Sequence, residues 1–248
     1  MKIVTFNLRT GGRRGTNNHW RKILKDLSPD LVLAQETYSP ESYFQPEEFS
    51  RKAQSAIWTP ISKWGSGVLS TRHHMTPIAV PEFEGWVTGA RIVEFSLVGG
   101  PPTPLSVFSL HTPSPGPYPL RLDRILDRIG DLALDTDLLV GGDFNINTAV
   151  RHMSEDIRNY DDNLAIIDRL RREFGLVNAW QAVHPNTNLP QTLRWSGDQS
   201  KPYHCDGLFI PVAWLPRLKS CEVLAGDWKD MSDHNPIVAS FEEWEVRR

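Results

Sequence analysis

Short apolar runs rich in Val, Ile, Leu and Phe recur along the whole chain, separated by polar residues, glycine or proline. Runs of this length and composition predict β-strands. The first predicted strand is KIVTF and the last is PIVASF; between them lie LVLAQ, SAIWT, GVLST, ARIVEFSLV, LSVFSLH, LLVGG and CDGLFI. The segment GGPPTP separates ARIVEFSLV from LSVFSLH, which predicts a hairpin turned by Gly99, Gly100 and the prolines.

Three other segments repeat apolar residues at the spacing of a helical face. The first has Asn17 or Asn18 as its N-cap and Pro29 beyond its end, and the third follows Asp161 and Asp162. The apolar positions are Trp20, Ile23, Leu24 and Leu27; Leu122, Ile125, Leu126 and Ile129; and Leu164, Ile167, Leu170 and Phe174.

Many strands with few helices, and no strict strand–helix alternation, indicate packed sheets with helices outside them. The proline-rich segment HTPSPGPYP runs from a predicted strand straight into a helix, so it does not resemble a domain linker. The chain has 248 residues, of which 40% are apolar and 23% are charged. This composition is typical of a globular protein with a sizeable core. The length suits one large domain or two small ones.

Charge and cysteine content narrow the classes of function. The net charge of −3 does not indicate nucleic-acid binding by the protein as a whole, so such binding requires a local basic patch. Cys205 and Cys221 form neither a disulfide framework nor a CxxC metal pair. The N-terminus lacks the apolar stretch of a secretory signal, and no run reaches the ~18 apolar residues of a membrane span. We therefore expect a cytoplasmic protein; the sequence does not indicate its oligomeric state.

Carboxylates, amides and histidines recur where predicted strands end. Alone, an Asn or Asp after a strand is usually a turn residue, and a single Glu is usually a solvated surface group. Asp206 is harder to explain in this way, because a carboxylate inside YHCDGLFI is expected to be buried and to need a partner. Six strand ends with such groups together favour one shared site. The residues are Asn7, Glu36, His111, Asp143 with Asn145, Asp206, and Asp233 with His234.

Oxygen-rich ligand sets suit hard cations such as Mg²⁺ or Mn²⁺, whereas zinc prefers His and Cys at spacings that this chain lacks. In LLVGGDFNIN, Gly141 and Gly142 form a turn or let the backbone approach a phosphate closely.

The ordered motifs TFN, AQE, GVLST, SLHTP, GGDFN, CDGLF and SDHNPI resemble the endonuclease/exonuclease/phosphatase superfamily, which includes deoxyribonuclease I, abasic-site endonucleases, deadenylases, sphingomyelinases and inositol polyphosphate phosphatases. The resemblance spans nearly the whole chain, from Asn7 to Ile237, and implies a single domain of the α/β (α+β) class over residues 1–248. It implies a four-layer α/β/β/α sandwich of two mainly antiparallel sheets flanked by helices, with a metal site at one rim. It also implies that Glu36 is the main Mg²⁺ (or Mn²⁺) ligand, with Asn7 beside it and Asp233 as a metal-side carboxylate.

The resemblance also implies the catalytic roles. Asp143 and Asn145 orient the attacking water and hold the phosphate, and with these roles we expect Gly141 and Gly142 to clear room for that phosphate. His234 contacts the phosphate and pairs through its other ring nitrogen with Asp206. His111 lies near the leaving-group oxygen.

Two positions depart from the family pattern. An aliphatic residue usually precedes the late aspartate and an aromatic residue follows it, whereas this chain has Cys205 and Gly207. We expect Gly207 to leave a void or room for substrate.

Basic and aromatic residues near the predicted site are candidates for substrate contacts, although each is also consistent with an ordinary solvated loop residue. Arginine contacts with phosphates and aromatic stacking on bases are how proteins hold single strands. The candidates are Arg9, Arg13, Arg14, Arg72, Arg194 and Trp195. Two further tryptophans, Trp64 and Trp86, lie in loop-like segments where stacking is possible, whereas Trp20, Trp58 and Trp180 look like core.

The leading hypothesis is a Mg²⁺-dependent phosphodiesterase that hydrolyses nucleic acid. An alternative is the same chemistry on a small or lipid-linked phosphoester, which the negative net charge favours. A further alternative is a non-catalytic binding module on the same fold.

Overall fold

The computed structural model describes residues 1–11, 19–97, 102–150, 161–194 and 203–242. Within these ranges the chain forms two six-stranded sheets with helices on their outer faces. The strands are β1 Lys2–Asn7, β2 Leu31–Thr37, β3 Ser55–Pro60, β4 Gly65–Ser70, β5 Thr76–Ile78, β6 Val87–Phe95, β7 Thr103–His111, β8 Asp137–Asp143, β9 Leu176–Asn178, β10 Asp206–Pro211, β11 Leu218–Val223 and β12 Ile237–Phe241. The α-helices are α1 His19–Lys22, α2 Pro46–Lys52, α3 Tyr118–Leu132, α4 Asp161–Arg172 and α5 Ala179–Val183.

The two sheets have the same internal plan. The first has the order β11-β12-β1-β2-β4-β3 and the second β5-β6-β7-β8-β10-β9. In each sheet the two central strands are parallel (β1 with β2, β7 with β8) and the other neighbours are antiparallel. A helical crossover joins each parallel pair, through α1 in the first sheet and α3 in the second. The predicted sandwich of two mainly antiparallel sheets is confirmed.

Strand alternation creates three apolar layers, because successive side chains point to opposite faces of a sheet. Ile3 and Leu33 of the first sheet meet Leu139 and Leu208 of the second in the layer between the sheets. The opposite faces pack under the helices. The outer layer of the second sheet contains the predicted face of α3, whose buried residues are Leu122, Ile125, Leu126 and Ile129.

The other two predicted helices differ from expectation in detail. Helix α4 buries Asn163, Ile166 and Leu170, whereas Leu164 and Ile167 are only partly buried and Phe174 lies beyond the helix end. The predicted face is therefore correct at Leu170, but its first two positions lie one residue too far along the chain, and each such step turns a helix by 100°.

The first helix is α1 followed by a π-turn at Ile23–Leu27, in which Trp20 and Ile23 are buried. Its predicted caps, Asn17 and Asn18, lie outside the described residues, as do Gly99 and Gly100 of the β6–β7 hairpin. No described helix is both long and apolar enough to cross a membrane.

Candidate active site

Three neighbouring strands of the second sheet present polar side chains side by side at one edge. His111 on β7 lies opposite Asp143 on β8, and Asp143 lies opposite Asp206 on β10. Leu139 and Leu208, which occupy the same face of β8 and β10, belong to the layer between the sheets. The alternation that buries these leucines therefore points the three polar residues at the rim of the same layer.

Asn7, the last residue of β1, faces this row from the first sheet. Its Nδ2 donates to Asp143 Oδ2 at 3.0 Å and to Glu36 Oε1 at 3.1 Å. One step deeper between the sheets, Gln35 Nε2 donates to Ser109 Oγ at 2.9 Å. Between the sheets, apolar side chains are therefore followed by hydrogen-bonded polar side chains, and then by charged side chains at this rim.

Glu36 reaches the site through a local irregularity in β2. The pairing of β2 with β4 shifts register between Ala34 and Thr37, and Glu36 has a left-handed backbone with φ 45°. Regular alternation would place Glu36 beside Ala34 in the helix-covered outer layer. The bulge instead aims the carboxylate at Asn7, as bulges next to active sites often re-aim a side chain.

The loop that precedes β12 supplies His234. Its Nδ1 donates to Asp206 Oδ2 at 2.8 Å, and its Nε2 lies 3.7 Å from Asp143 Oδ2. Ser232 Oγ accepts from the His234 backbone N–H at 3.1 Å and donates to the Asn7 carbonyl at 2.7 Å. The histidine is therefore oriented by Asp206 and tied to the end of β1.

The charge of His234 follows from its surroundings. Burial lowers the pKa of this imidazole, but the negative charges of Asp206 and Asp143 outweigh burial and raise the pKa to about 10. His234 is thus an imidazolium at neutral pH, with both ring nitrogens available as donors.

Asp143 is held through both carboxylate oxygens and is 2% exposed. Its Oδ1 accepts from the Asn145 backbone N–H at 3.0 Å, while Oδ2 accepts from Asn7. Asn145 has a left-handed backbone with φ 54°, and its Nδ2 donates to the Thr112 carbonyl at 3.2 Å. The turn after β8 therefore places a fixed carboxylate and an amide side by side.

The glycines before Asp143 have a role other than the expected one. A Cβ on Gly142 would lie 1.8 Å from the Leu110 carbonyl oxygen on β7, and one on Gly141 would press on the side chains of Leu33 and Leu208. Their missing side chains allow β8 to pack against its neighbours. The expectation that they clear room for a phosphate is wrong.

Gly207 also leaves no void. A Cβ there would lie 2.8 Å from the ring of Phe209 and 3.1 Å from Cβ of Thr148, so the neighbouring side chains fill the space. Because Gly207 lies next to Asp206 on β10, the strand packs closely at the point where it enters the site.

Cys205, at the position where the family usually has an aliphatic residue, lies beside the Asp206–His234 pair. Its Sγ donates to Asp206 Oδ2 at 3.7 Å, and burial together with the charges of Asp143 and Asp206 raises the pKa of the thiol well above its usual value. Among the described residues, Cys205, Asp206 and His234 bring one ligand atom each within 4.8 Å of one another. The raised pKa keeps the thiol protonated, so these groups form a hydrogen-bonded cluster.

His111 completes the row without a strong polar bond. Its Nε2 is 3.8 Å from both Glu36 Oε1 and Asp143 Oδ2, which is longer than a hydrogen bond. Its ring packs against Trp86 and Trp64, with centroid distances of 5.2 and 6.0 Å. The sequence indicated loop positions where stacking is possible for both tryptophans, but not their contact with His111, which depends on the fold.

The donor set at the rim fits a hard divalent cation. Glu36 and Asp143 share the Asn7 amide, and a third carboxylate, Asp233, adjoins His234. Asp233 Oδ1 is buried and has no hydrogen-bond partner among the described residues. Carboxylate oxygens are the ligands that Mg²⁺ and Mn²⁺ prefer.

Asn7 holds the carboxylates together through its amide nitrogen. Its Oδ1 accepts from the Arg9 backbone N–H at 3.0 Å, so the amide oxygen already has one partner. The predicted role of Asn7 as a metal ligand stays a prediction.

The arginines predicted to contact substrate lie in different environments. Arg9 pairs with Asp233 Oδ2 at 2.9 Å and therefore lies at the site. The Arg194 guanidinium donates to the carbonyls of Ser232 and His234 and to Asn235 Oδ1. Arg194 thus stabilises the loop that carries His234, which is a structural role.

Arg72 lies at the wrong end of the molecule for a substrate contact. It follows β4 and pairs at 3.5 Å with Asp30, just before β2 begins. Glu36 is at the other end of this seven-residue strand, roughly 20 Å away at the rise of a strand. The prediction for Arg72 was wrong because β4 runs antiparallel to β2.

The other predicted substrate contacts, Arg13, Arg14 and Trp195, lie outside the described residues.

Comparison with known proteins assigns the chain to a family. Residues 4–200 match the model of the Endonuclease/Exonuclease/phosphatase family. The chain therefore belongs to this family, and the predicted resemblance is confirmed. Comparison with curated proteins finds no match.

Similar solved structures share the fold over almost the full length. An AP endonuclease from Archaeoglobus fulgidus has 20% identity and a TM-score of 0.70, with 98% of this chain and 99% of that chain covered. The 3′ phosphatase NExo from Neisseria, bound to a product DNA hairpin, has 18% identity, a TM-score of 0.71 and the same coverage. The AP endonuclease LMAP from Leishmania major has 12% identity and a TM-score of 0.68, with coverage of 96% and 86%.

Proposed function

We propose that the protein is a Mg²⁺- or Mn²⁺-dependent phosphodiesterase that hydrolyses nucleic acid. The observation that carries this proposal is the rim itself, where Glu36 and Asp143 share the Asn7 amide and face the Asp206–His234 pair. Phosphoester hydrolysis needs an activated water and stabilised charge on the phosphate oxygens, and this cluster contains groups for both.

Glu36 and Asp233 are the side chains we propose to hold the cation, with Asn7 beside them. When bound, the cation supplies neutralisation of charge on the non-bridging phosphate oxygens. Arg9 pairs with Asp233 Oδ2, so it would share this carboxylate with the cation or move away from it.

His234 binds and orients the phosphate. Its Nδ1 is engaged by Asp206, which leaves the Nε2 proton directed towards Asp143 and the centre of the rim. A charged donor there stabilises the negative charge that develops on a phosphate oxygen. Asp206 contributes by keeping the ring oriented and protonated.

Asp143 orients or deprotonates the attacking water, since an ionised carboxylate only accepts hydrogen bonds. Asn145 provides an amide next to it for the phosphate. We assign His111 to the leaving-group side, because its ring flanks both Glu36 and Asp143.

Nucleic acid is the favoured substrate because structurally similar proteins include two AP endonucleases and a 3′ phosphatase bound to DNA. A compact phosphoester is the second candidate, since two of the arginines predicted to contact substrate, Arg9 and Arg194, already have internal partners. We further propose that residues 1–248 act as a single domain in the cytoplasm. The intact set of carboxylates and histidines disfavours a non-catalytic module.

The experiment is cleavage of end-labelled oligonucleotides with Mg²⁺. The panel contains a duplex with one abasic site, its undamaged counterpart, the single strand and a soluble phosphodiester. His234→Ala, purified identically, controls for contaminating nucleases. We expect the wild-type protein to cut at least one nucleic acid faster than the small ester and His234→Ala to cut none. Faster turnover of the small ester, or equal cutting by His234→Ala, would contradict the proposal.

A further inference from the structure

Two partly exposed tryptophans form a surface directly beside His111, which we call the aromatic shelf (Trp64 and Trp86). Their ring centroids are 5.5 Å apart with the planes at 90°. The Trp86 centroid lies 5.2 Å from that of His111, and Trp64 lies 6.0 Å from it. The mechanism proposed above uses neither indole.

The shelf is built from loops of both sheets, which fixes its position. Trp64 ends the turn between β3 and β4 in the first sheet, whereas Trp86 precedes β6 in the second. The loops touch at Gly85, where φ is 78° and a Cβ would lie 2.4 Å from the Ile61 nitrogen. The Trp86 carbonyl also accepts from the His111 backbone N–H at 2.8 Å.

Only the imidazole of His111 separates the aromatic shelf from the carboxylates of the proposed active site. His111 Nε2 lies 3.8 Å from both Glu36 and Asp143, and the shelf packs on the same imidazole. A phosphate bound between these carboxylates therefore has its flanking nucleotide within reach of an indole. Lys63, which is exposed and precedes Trp64, adds a positive charge next to the shelf.

We propose that the aromatic shelf stacks on an unpaired base flanking the scissile phosphate, so that the preferred substrate is a single strand or frayed end with intact bases. This inference rests on the proposed function and specifies its substrate. Stacking on an aromatic side chain requires a base with a free face. Inside a duplex, both faces of a base are covered by the neighbouring bases. A sugar without a base offers no such face.

The first test measures binding in EDTA, where metal-dependent turnover is absent. Quenching of tryptophan fluorescence is titrated with a trinucleotide and with the same trinucleotide carrying an abasic analogue at its centre. We expect the wild-type protein to bind the intact trinucleotide on the order of ten-fold more tightly, as one stacked base provides. Trp64→Ala is expected to lose this difference and Trp64→Phe to keep most of it. Trp228→Phe, in the layer under the helices of the first sheet, controls for general loss of an indole.

The wild-type comparison decides the inference even if a variant folds poorly. Equal or tighter binding of the abasic trinucleotide would overturn it, as would an unchanged preference in Trp64→Ala. Failure of the proposed function has a separate signature, which is absence of Mg²⁺-dependent cleavage of any strand. Mg²⁺-dependent cleavage without a preference for intact bases would contradict the proposed stacking on the aromatic shelf but not the proposed nuclease function.

Discussion

At the scale of single residues, the site contains backbone conformations that ordinary side chains avoid. Glu36 and Asn145 both lie in the left-handed region, with φ of 45° and 54°. Such conformations cost about 1–3 kcal/mol each and collect at functional sites. Asn tolerates this region through its short polar side chain, whereas Glu does not. The surrounding structure therefore holds Glu36 in a strained backbone conformation, which reduces the stability of the folded protein.

Replacement of Glu36 by glycine should separate stability from activity. Glycine adopts a positive φ freely, and the change removes a carboxylate that shares the Asn7 amide with Asp143, so we expect Glu36→Gly to raise the free energy of unfolding by about 1 kcal/mol. Urea denaturation without metal measures this change. Glu36→Gln keeps the strained backbone and is the matched control. Both variants should lose hydrolysis, and a less stable Glu36→Gly would contradict the assignment of strain.

The His234 imidazolium predicts a pH-dependent stability. Its pKa is about 10 in the folded protein and about 6.5 in the unfolded chain. A raised folded pKa contributes stability that is complete below about pH 6.5 and is lost as the pH rises through 10. Between these values the wild-type protein should lose up to about 1.4 kcal/mol per pH unit relative to His234→Gln. Denaturation in EDTA from pH 6 to 10 measures the difference between the two proteins. A constant difference across this range would show that His234 is not charged in the folded state.

At the scale of elements, regular alternation and helical spacing were readable from the sequence. The nine predicted strands correspond to nine observed strands, and α3 buries its predicted face. Strands β5 and β9 were missed because each has only three residues, and β11 was missed because Lys219, Ser220 and Glu222 interrupt its apolar positions. The burial of Asn163 in α4 was missed because a polar side chain on an apolar face has no signature in the spacing.

The packing of β8 also depends on contacts that no local pattern contains. Gly142, at φ 151°, lies against the Leu110 carbonyl, whereas a Cβ on Gly175, at φ 64°, would meet no atom of the described residues within 4 Å. We expect Gly142→Ala to reduce the free energy of unfolding by roughly 3 kcal/mol or more through clash and strain. Gly175→Ala, which meets strain alone, should lose about 1–2 kcal/mol. Equal losses in thermal denaturation would contradict the close approach of β7 and β8.

At the scale of the whole molecule, the site lies where two sheets of the same plan meet. Asn7 and Glu36 come from one sheet, and His111, Asp143 and Asp206 come from the other. The motifs predicted which residues gather, because each lies at one end of a strand or in the loop beside it. They could not predict the bulge that aims Glu36, the pairing of Arg9 with Asp233 or the structural role of Arg194. Those features depend on contacts between segments far apart in the chain.

The most direct test of the account is Mg²⁺-dependent hydrolysis of one end-labelled oligonucleotide by matched variants. Glu36→Gln and His234→Gln change the rim, whereas Glu47→Gln and His74→Gln make the same chemical changes at exposed positions away from it. We predict that the two rim variants lose at least about 100-fold in kcat, as removal of one transition-state donor does. The two controls should match the wild-type protein, and EDTA should abolish its activity. Full activity in either rim variant, or in EDTA, would contradict the assignment of this rim as a metal-dependent active site.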